Sequence, residues 1–129
     1  MTALSTTILI ADDEPVVAAM IERIISSMGL SAVTVPDGAQ AVQVAQAMQQ
    51  QLACAILDVA MPGTTGIDAA EAIRQFLPNL PIILMSGAIP STLTQRVNQL
   101  PHSAVLLKPF RIQVVKSLVT QMLQKGLAP

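Results

Sequence analysis

Tryptophan and tyrosine are absent, phenylalanine occurs only as Phe76 and Phe110, and histidine and cysteine occur once each, as His102 and Cys54. So few aromatics leave little to stack a flavin ring. A lone cysteine cannot close an intrachain disulfide, and within "ACAIL" it reads as a small buried hydrophobe rather than a reactive thiol. Charge is also sparse, at 12% of residues with a formal net charge of -1. The seven basic residues (Arg23, Arg74, Arg96, Lys108, Arg111, Lys116 and Lys125) are scattered, which excludes the basic footprint of direct nucleic-acid binding. Although 52% of the 129 residues are hydrophobic, no apolar run approaches the ~20 residues that span a bilayer. The N-terminus lacks the basic flank and long apolar segment of a secretory signal. Repeats, low-complexity stretches and internal linkers are missing too. The expectation is one soluble, cytoplasmic domain with a real core and no membrane insertion.

What is present is an alternation of short apolar runs with longer helical patterns. The runs are "TILIA" (7–11), "SAVTV" (31–35), "ACAIL" (53–57), "PIILM" (81–85) and "AVLL" (104–107). They are too short for typical helices and several are unbroken, as in strands buried on both faces. Between the first two, Val16, Val17, Met20, Ile21, Ile24, Ile25 and Met28 recur at helical spacing, and Gly29 offers a stop. Asp37 is a candidate N-cap for an Ala/Gln-rich second helix, and "GIDAAEAIRQF" predicts a third that ends before Pro78. "PSTLTQRVNQL" predicts a short fourth. A fifth in "RIQVVKSLVTQMLQKG" carries Ile112, Val115, Val119, Met122 and Leu123 on one face, with Gly126 closing it. Five β/α units imply an α/β fold, a parallel sheet with helices on both faces. The economical arrangement is a flavodoxin-like five-stranded sheet of order 2-1-3-4-5, whose ligands sit beyond the carboxyl ends of the strands.

Function is therefore sought just after each apolar run. There lie Asp12 and Asp13 after the first, Asp58 after the third, Ser86 after the fourth and Lys108 after the fifth. The second run ends in Val35-Pro36 and supplies nothing, as an edge strand would. In the expected order the first and third strands are neighbours, so three carboxylates converge. Two unit charges about 4 Å apart repel by roughly 4 kcal/mol at an effective dielectric near 20, so such a cluster calls for a cation, a shared proton or both. Carboxylate oxygens suit a hard divalent ion such as Mg²⁺, while Lys108 and Ser86 add groups that contact phosphate. Asp13, Glu14 and Pro15 also read as the cap and first turn of a helix. Capping alone does not explain two acids at the inner end together with Asp58 and Lys108. His102 has no apparent partner, and Gly63 and Gly66 read as turn residues. The seven methionines read as core filler.

The ordered set Asp12-Asp13, Asp58 in "LDVAMPGTTG", Ser86 in "MSGA" and Lys108 in "LLKPF" resembles the response-regulator receiver family of two-component signalling, in its single-domain, chemotaxis-regulator-like form. The resemblance covers essentially the whole chain. It implies that Asp58 accepts a phosphoryl group from a sensor histidine kinase or histidine phosphotransfer protein. It further implies that Asp13, Asp58 and the backbone carbonyl of Ala60 ligate Mg²⁺ with Asp12 close by through water, and that Ser86 and Lys108 bind the phosphoryl oxygens. A cis Lys108-Pro109 bond is also implied, against a base rate of about 5–6% for X-Pro. Such a module catalyses only its own phosphorylation and slow dephosphorylation, and passes its signal to a downstream protein target.

Two positions depart from the pattern. Where many receivers carry a swinging aromatic residue three positions before the lysine, this chain has Val105, whose β-branch leaves few χ1 states. Switching is then expected to run through Ser86 and the loop "SGAIPST". The positions two beyond the phosphoacceptor and two beyond the switch hydroxyl are both alanine, Ala60 and Ala88, and neither can orient a hydrolytic water. The chain ends soon after the fifth helix, so residues 1–129 are expected to be one receiver with no output domain, with a receiver cut from a longer regulator at "KGLAP" as the other option. Val114 and Leu118 widen the apolar stripe of the fifth helix, leaving open either full burial or a homodimer through helices 4 and 5. The competing readings are a haloacid-dehalogenase-type phosphatase, which would want an acid at Ala60, a flavodoxin-like cofactor binder, which would want a phosphate-cradling Gly-rich loop after the first strand, and a degenerate receiver acting as a protein-interaction module.

Overall fold

The short apolar runs become five parallel strands: β1 (Thr7–Ala11), β2 (Ser31–Val35), β3 (Leu52–Asp58), β4 (Ile82–Ser86) and β5 (Ser103–Leu107), in the order β2-β1-β3-β4-β5. The computed structural model describes residues 6–89 and 91–127. Each strand is followed by a helix: α1 (Pro15–Ser27), α2 (Gly38–Ala47), α3 (Gly66–Phe76), α4 (Ser91–Asn98) and α5 (Ile112–Leu127).

Alternation along the strands divides the core in two. Ile8 and Ile10 of β1, Ile56 of β3 and Ile83 of β4 face one side, with Ile21 and Ile25 of α1 and Val115 and Val119 of α5. Leu9, Ala11, Leu57 and Leu84 face the other, against Ala41 and Ala45 of α2 and Ile67, Ala70 and Ile73 of α3. Cys54 is buried on the first side, where desolvation pushes its thiol up to about 12, so it stays protonated and inert. Among the methionines, Met61, Met85 and Met122 are buried, whereas Met20 is exposed.

Local signals place most helix ends. Gly29 takes φ +78° just after α1, a conformation that favours glycine. Asp37 caps α2 by accepting from the Gln40 N–H at 2.8 Å. At α1 the N-cap position is Glu14, with no side-chain cap bond. Instead Asp12 Oδ1 accepts from the Glu14 N–H at 2.8 Å, so the acid at the strand end supports the helix start. Gly126 does not close α5, which runs to Leu127. The apolar stripe of α5 is only partly covered: Val115, Val119 and Met122 are buried, while Ile112 is 53% and Val114 48% exposed. β5 is the sheet edge, so the sheet ends before it can cover the stripe's full width.

Gly63 is a turn glycine with φ +73°, but Gly66 is the first residue of α3 and is needed for space. A Cβ there would lie 2.2 Å from the Asp58 carbonyl oxygen and 3.0 Å from the Val59 Cα. The first turn of α3 therefore rests on the backbone at the end of β3. Substituting Gly66→Ala is expected to destabilise the protein by about 2 kcal/mol through overpacking against immobile backbone; urea unfolding measures this, and an unchanged midpoint would contradict the close approach.

Candidate functional site

Parallel strands that end level bring their last residues together. Asp58 and Ser86 are the final residues of β3 and β4, Asp12 and Asp13 directly follow β1, and Lys108 directly follows β5. β1 pairs with β3, so Asp12, Asp13 and Asp58 converge, each offering a carboxylate oxygen within 4.8 Å of the others. β5 is separated from β3 by β4. Lys108 must reach over the end of β4, and its backbone N–H is tied to the Ser86 carbonyl at 2.8 Å. From there Nζ lies 3.0 Å from Asp58 Oδ1 and 3.4 Å from Asp12 Oδ2. The Lys108-Pro109 bond that follows is cis.

The five side chains have distinct environments. Asp12 and Asp58 are buried, whereas Asp13 is exposed. Asp12 is committed twice, to the Glu14 N–H and to Lys108. Ser86 Oγ is held by its own turn, donating to the Ala88 carbonyl at 2.8 Å and accepting from the Ala88 N–H at 3.2 Å. Beyond Asp58, the Val59 carbonyl accepts from both Met61 and Gly66, which folds the chain back into α3. Ala60, between them, is exposed.

Burial raises the Asp58 carboxyl above its ordinary range; the Lys108 hydrogen bond opposes this, and the charges of Asp12 and Asp13 add to the rise. Lys108 loses solvation by burial, yet its bonds and attraction to Asp58 and Asp12 hold its pKa above the usual value. One ammonium therefore meets three carboxylates. All the donors are hard oxygens, two of the three acids are buried, and their repulsion is only partly cancelled. The residues present fit a hard divalent cation such as Mg²⁺. A groove bordered by Asp12, Asp13, Glu22, Thr34 and Pro36 opens beside the cluster.

Every site residue expected from the strand ends lies at this end of the sheet. What the sequence reading missed is a polar frame on the next helices. Thr65 and Asp68 form a capping box at the start of α3, Thr65 Oγ1 accepting from the Asp68 N–H at 3.1 Å and Asp68 Oδ2 from the Thr65 N–H at 3.3 Å. The spacing T-x-x-D carries that signal. Arg96, counted among scattered basic residues, reaches Asp68 and Glu71. Arg74 gathers the carbonyls of Leu77, Leu80 and Pro101 at the opposite end of the sheet. No helix among the described residues is long and apolar enough to cross a membrane.

A doubly covered parallel sheet with acids after β1, an acid ending β3 and a lysine after β5 defines a receiver module, a signalling unit rather than a classical enzyme. The chain belongs to the response regulator receiver domain family, whose profile it matches over residues 8–120. It is 29% identical over 124 residues to the autoinducer 1 sensor kinase/phosphatase LuxN of Vibrio harveyi, covering 96% of this chain and 14% of that protein. It is 32% identical over 111 residues to the "Probable transcriptional regulatory protein TcrX" of Mycobacterium tuberculosis, covering 84% of this chain and 46% of that one. The chain thus spans less than half the length of either relative. Among solved structures, a response regulator receiver protein from Sinorhizobium medicae superposes with a TM-score of 0.84 at 27% identity, over 95% of this chain and 97% of that one. The receiver domain of the sensor histidine kinase PA1611 from Pseudomonas aeruginosa superposes with a TM-score of 0.81 at 25% identity, over 93% and 98% of the two chains. That structure has a magnesium ion coordinated in its active site cleft.

The raised Asp58 pKa carries a sign. Between the ordinary carboxylate value near pH 4 and the raised value, the folded state holds more protons than the unfolded one, so stability falls as pH rises through that window. Without divalent cations, Asp58→Asn is expected to be more stable than the parent at pH 7, and the gap should close below about pH 4. Thermal unfolding across pH measures it, and a variant less stable at neutral pH would contradict the balance of charges.

Proposed function

We propose that this chain is a phosphoacceptor in a phosphorelay, taking a phosphoryl group onto Asp58 from a histidine kinase or histidine phosphotransfer protein. The observation that carries the reading is the buried Asp58 carboxylate held 3.0 Å from Lys108 Nζ with two further carboxylates beside it. An Asp58 oxygen bonds to phosphorus as the phosphorus–nitrogen bond of the donor breaks, and the leaving imidazole takes a proton. Lys108 exchanges its grip on Asp58 for a phosphoryl oxygen. Ser86 leaves the Ala88 carbonyl and donates to another. Asp13, Asp58 and the Ala60 carbonyl would hold Mg²⁺, with Asp12 close by through water, and the ion would supply countercharge to the carboxylates and the phosphoryl group.

Val105, on the edge strand and 38% exposed, has no aromatic face to bury, which leaves the segment after Ser86 as the moving part. Ala60 and Ala88 are both exposed methyl groups that offer no hydrogen bond to an attacking water, so the acyl phosphate lasts. The module signals through a downstream protein target. Exposed Val105, Leu107 and Val114 line one groove with Phe110 and Leu118, which supports the α5 side of a homodimer through α4 and α5.

Acetyl phosphate with Mg²⁺ is expected to add one phosphoryl group by intact mass, releasing acetate. Asp58→Asn should abolish the adduct, and Lys108→Met should slow it on the order of 100-fold. The adduct should persist for minutes and amides after Ser86 should shift on loading; no adduct, or loss within seconds, would contradict the reading. Sedimentation should show a concentration-dependent dimer that Val114→Glu reduces to monomer, and a parent monomeric throughout would remove the dimer.

A further inference from the structure

α4 has a single buried side chain, Val97, in eight residues, with Leu93 and, just beyond the helix, Leu100 packed at the core margin. One residue of α4 gives it a polar hold on α3. Arg96 grips both carboxylate oxygens of Glu71, with Nε 3.0 Å from one of them, and Nη2 lies 2.7 Å from Asp68 Oδ1. Exposed ion pairs contribute little as a rule, but a bidentate fork engaging a second acid is the exception. Arg96 depresses the Asp68 carboxyl below its usual range, chiefly through this hydrogen bond.

The other end of the grip matters more. Asp68 is the returning half of the α3 capping box. Gly66, beside Thr65, donates its N–H to the Val59 carbonyl at 3.2 Å and leaves no room for a Cβ against the Asp58 carbonyl. The turn that Arg96 holds is therefore seated on the backbone of Asp58. The helix that carries Arg96 begins five positions after Ser86, whose hydroxyl is engaged with Ala88. One guanidinium thus joins the two helices that follow the loops flanking the acidic cluster.

We propose that Arg96 is a positioning residue, a latch that pins α4 to the first turn of α3 and so holds the segment after Ser86 in the arrangement that keeps the Ser86 hydroxyl on its own turn. The latch rests on the reading of Asp58 as phosphoacceptor only for its consequence. If Ser86 must leave Ala88 to meet a phosphoryl group, opening the latch lowers the cost of that movement and favours the loaded state.

Two readouts separate the latch from the site. Amide hydrogen exchange over α4, in the protein with nothing bound, is expected to speed up in Arg96→Gln and, less strongly, in Glu71→Gln, with α3 unchanged. Asp68 is left intact because its loss would also uncap α3. Beryllofluoride with Mg²⁺ is expected to bind about fivefold more tightly to Arg96→Gln, a coupling at the low end of those linking distinct sites. Arg96→Glu combined with Glu71→Arg should return both readouts toward the parent. Unchanged α4 exchange would overturn the latch, and faster exchange with unchanged or weaker beryllofluoride binding would overturn its coupling to the site. A parent protein that binds no beryllofluoride would overturn the phosphoacceptor reading instead, and the exchange data would still decide the latch.

Discussion

Lys108 Nζ stands between two buried carboxylates, 3.0 Å from one and 3.4 Å from the other, with the exposed Asp13 close by. That meeting of three negative charges with one positive charge constrains much of the fold. The acids meet because β1 and β3 are neighbours, and the lysine arrives from β5 across the end of β4. A sheet in another order would scatter the same residues. The cost of the imbalance appears in the raised Asp58 carboxyl, and the surrounding apolar core makes that cost larger by keeping solvent away. Such an arrangement is poorly explained by stability alone, because a neutral residue at Asp58 would relieve it. It is well explained by a site that waits for a cation and a phosphoryl group.

The two sides of the acidic cluster are built differently. On the β3 side, a Cβ at Gly66 would meet the Asp58 carbonyl, and one at Gly38 would lie 2.4 Å from the Thr64 carbonyl oxygen. The loop between β3 and α3 is therefore wedged between the start of α2 and the end of β3, and it has little freedom to move. On the β4 side the chain after Ser86 is fastened by polar contacts instead: the hydroxyl to Ala88, and α4 through Arg96. Hydrogen bonds can exchange partners without leaving a void, whereas close-packed backbone cannot. Under the proposed phosphorylation of Asp58, movement would therefore belong to the β4 side, in keeping with a β-branched Val105 on the neighbouring edge strand.

The fold was legible because the strands are short apolar runs, several of them unbroken, and their boundaries shift by only a residue or so from the quoted stretches. Asp58 and Ser86, for instance, prove to be the last strand residues rather than the first of the loops. The acidic set was legible because α/β order alone predicts which strand ends meet. The stripe on α5 was legible as a stripe but not as a surface: periodicity says which residues share a face, while the edge position of β5 decides that Ile112 and Val114 stay exposed. Arg96 was not legible. Its partners lie 25 and 28 residues away, and nothing local distinguishes it from a solvated arginine. The side-chain state of Ser86 was likewise hidden, because a hydroxyl bonded to its own turn leaves no mark on the pattern.

The charge imbalance around Asp58 calls for a divalent cation. Unfolding midpoints of the parent and Asp58→Asn, followed at neutral pH as Mg²⁺ is raised, test it most directly, since a ligand bound only by the folded state stabilises it by mass action. The midpoint is expected to climb with Mg²⁺ in the parent and barely move in the variant. A flat parent, or equal climbs in both proteins, would contradict it.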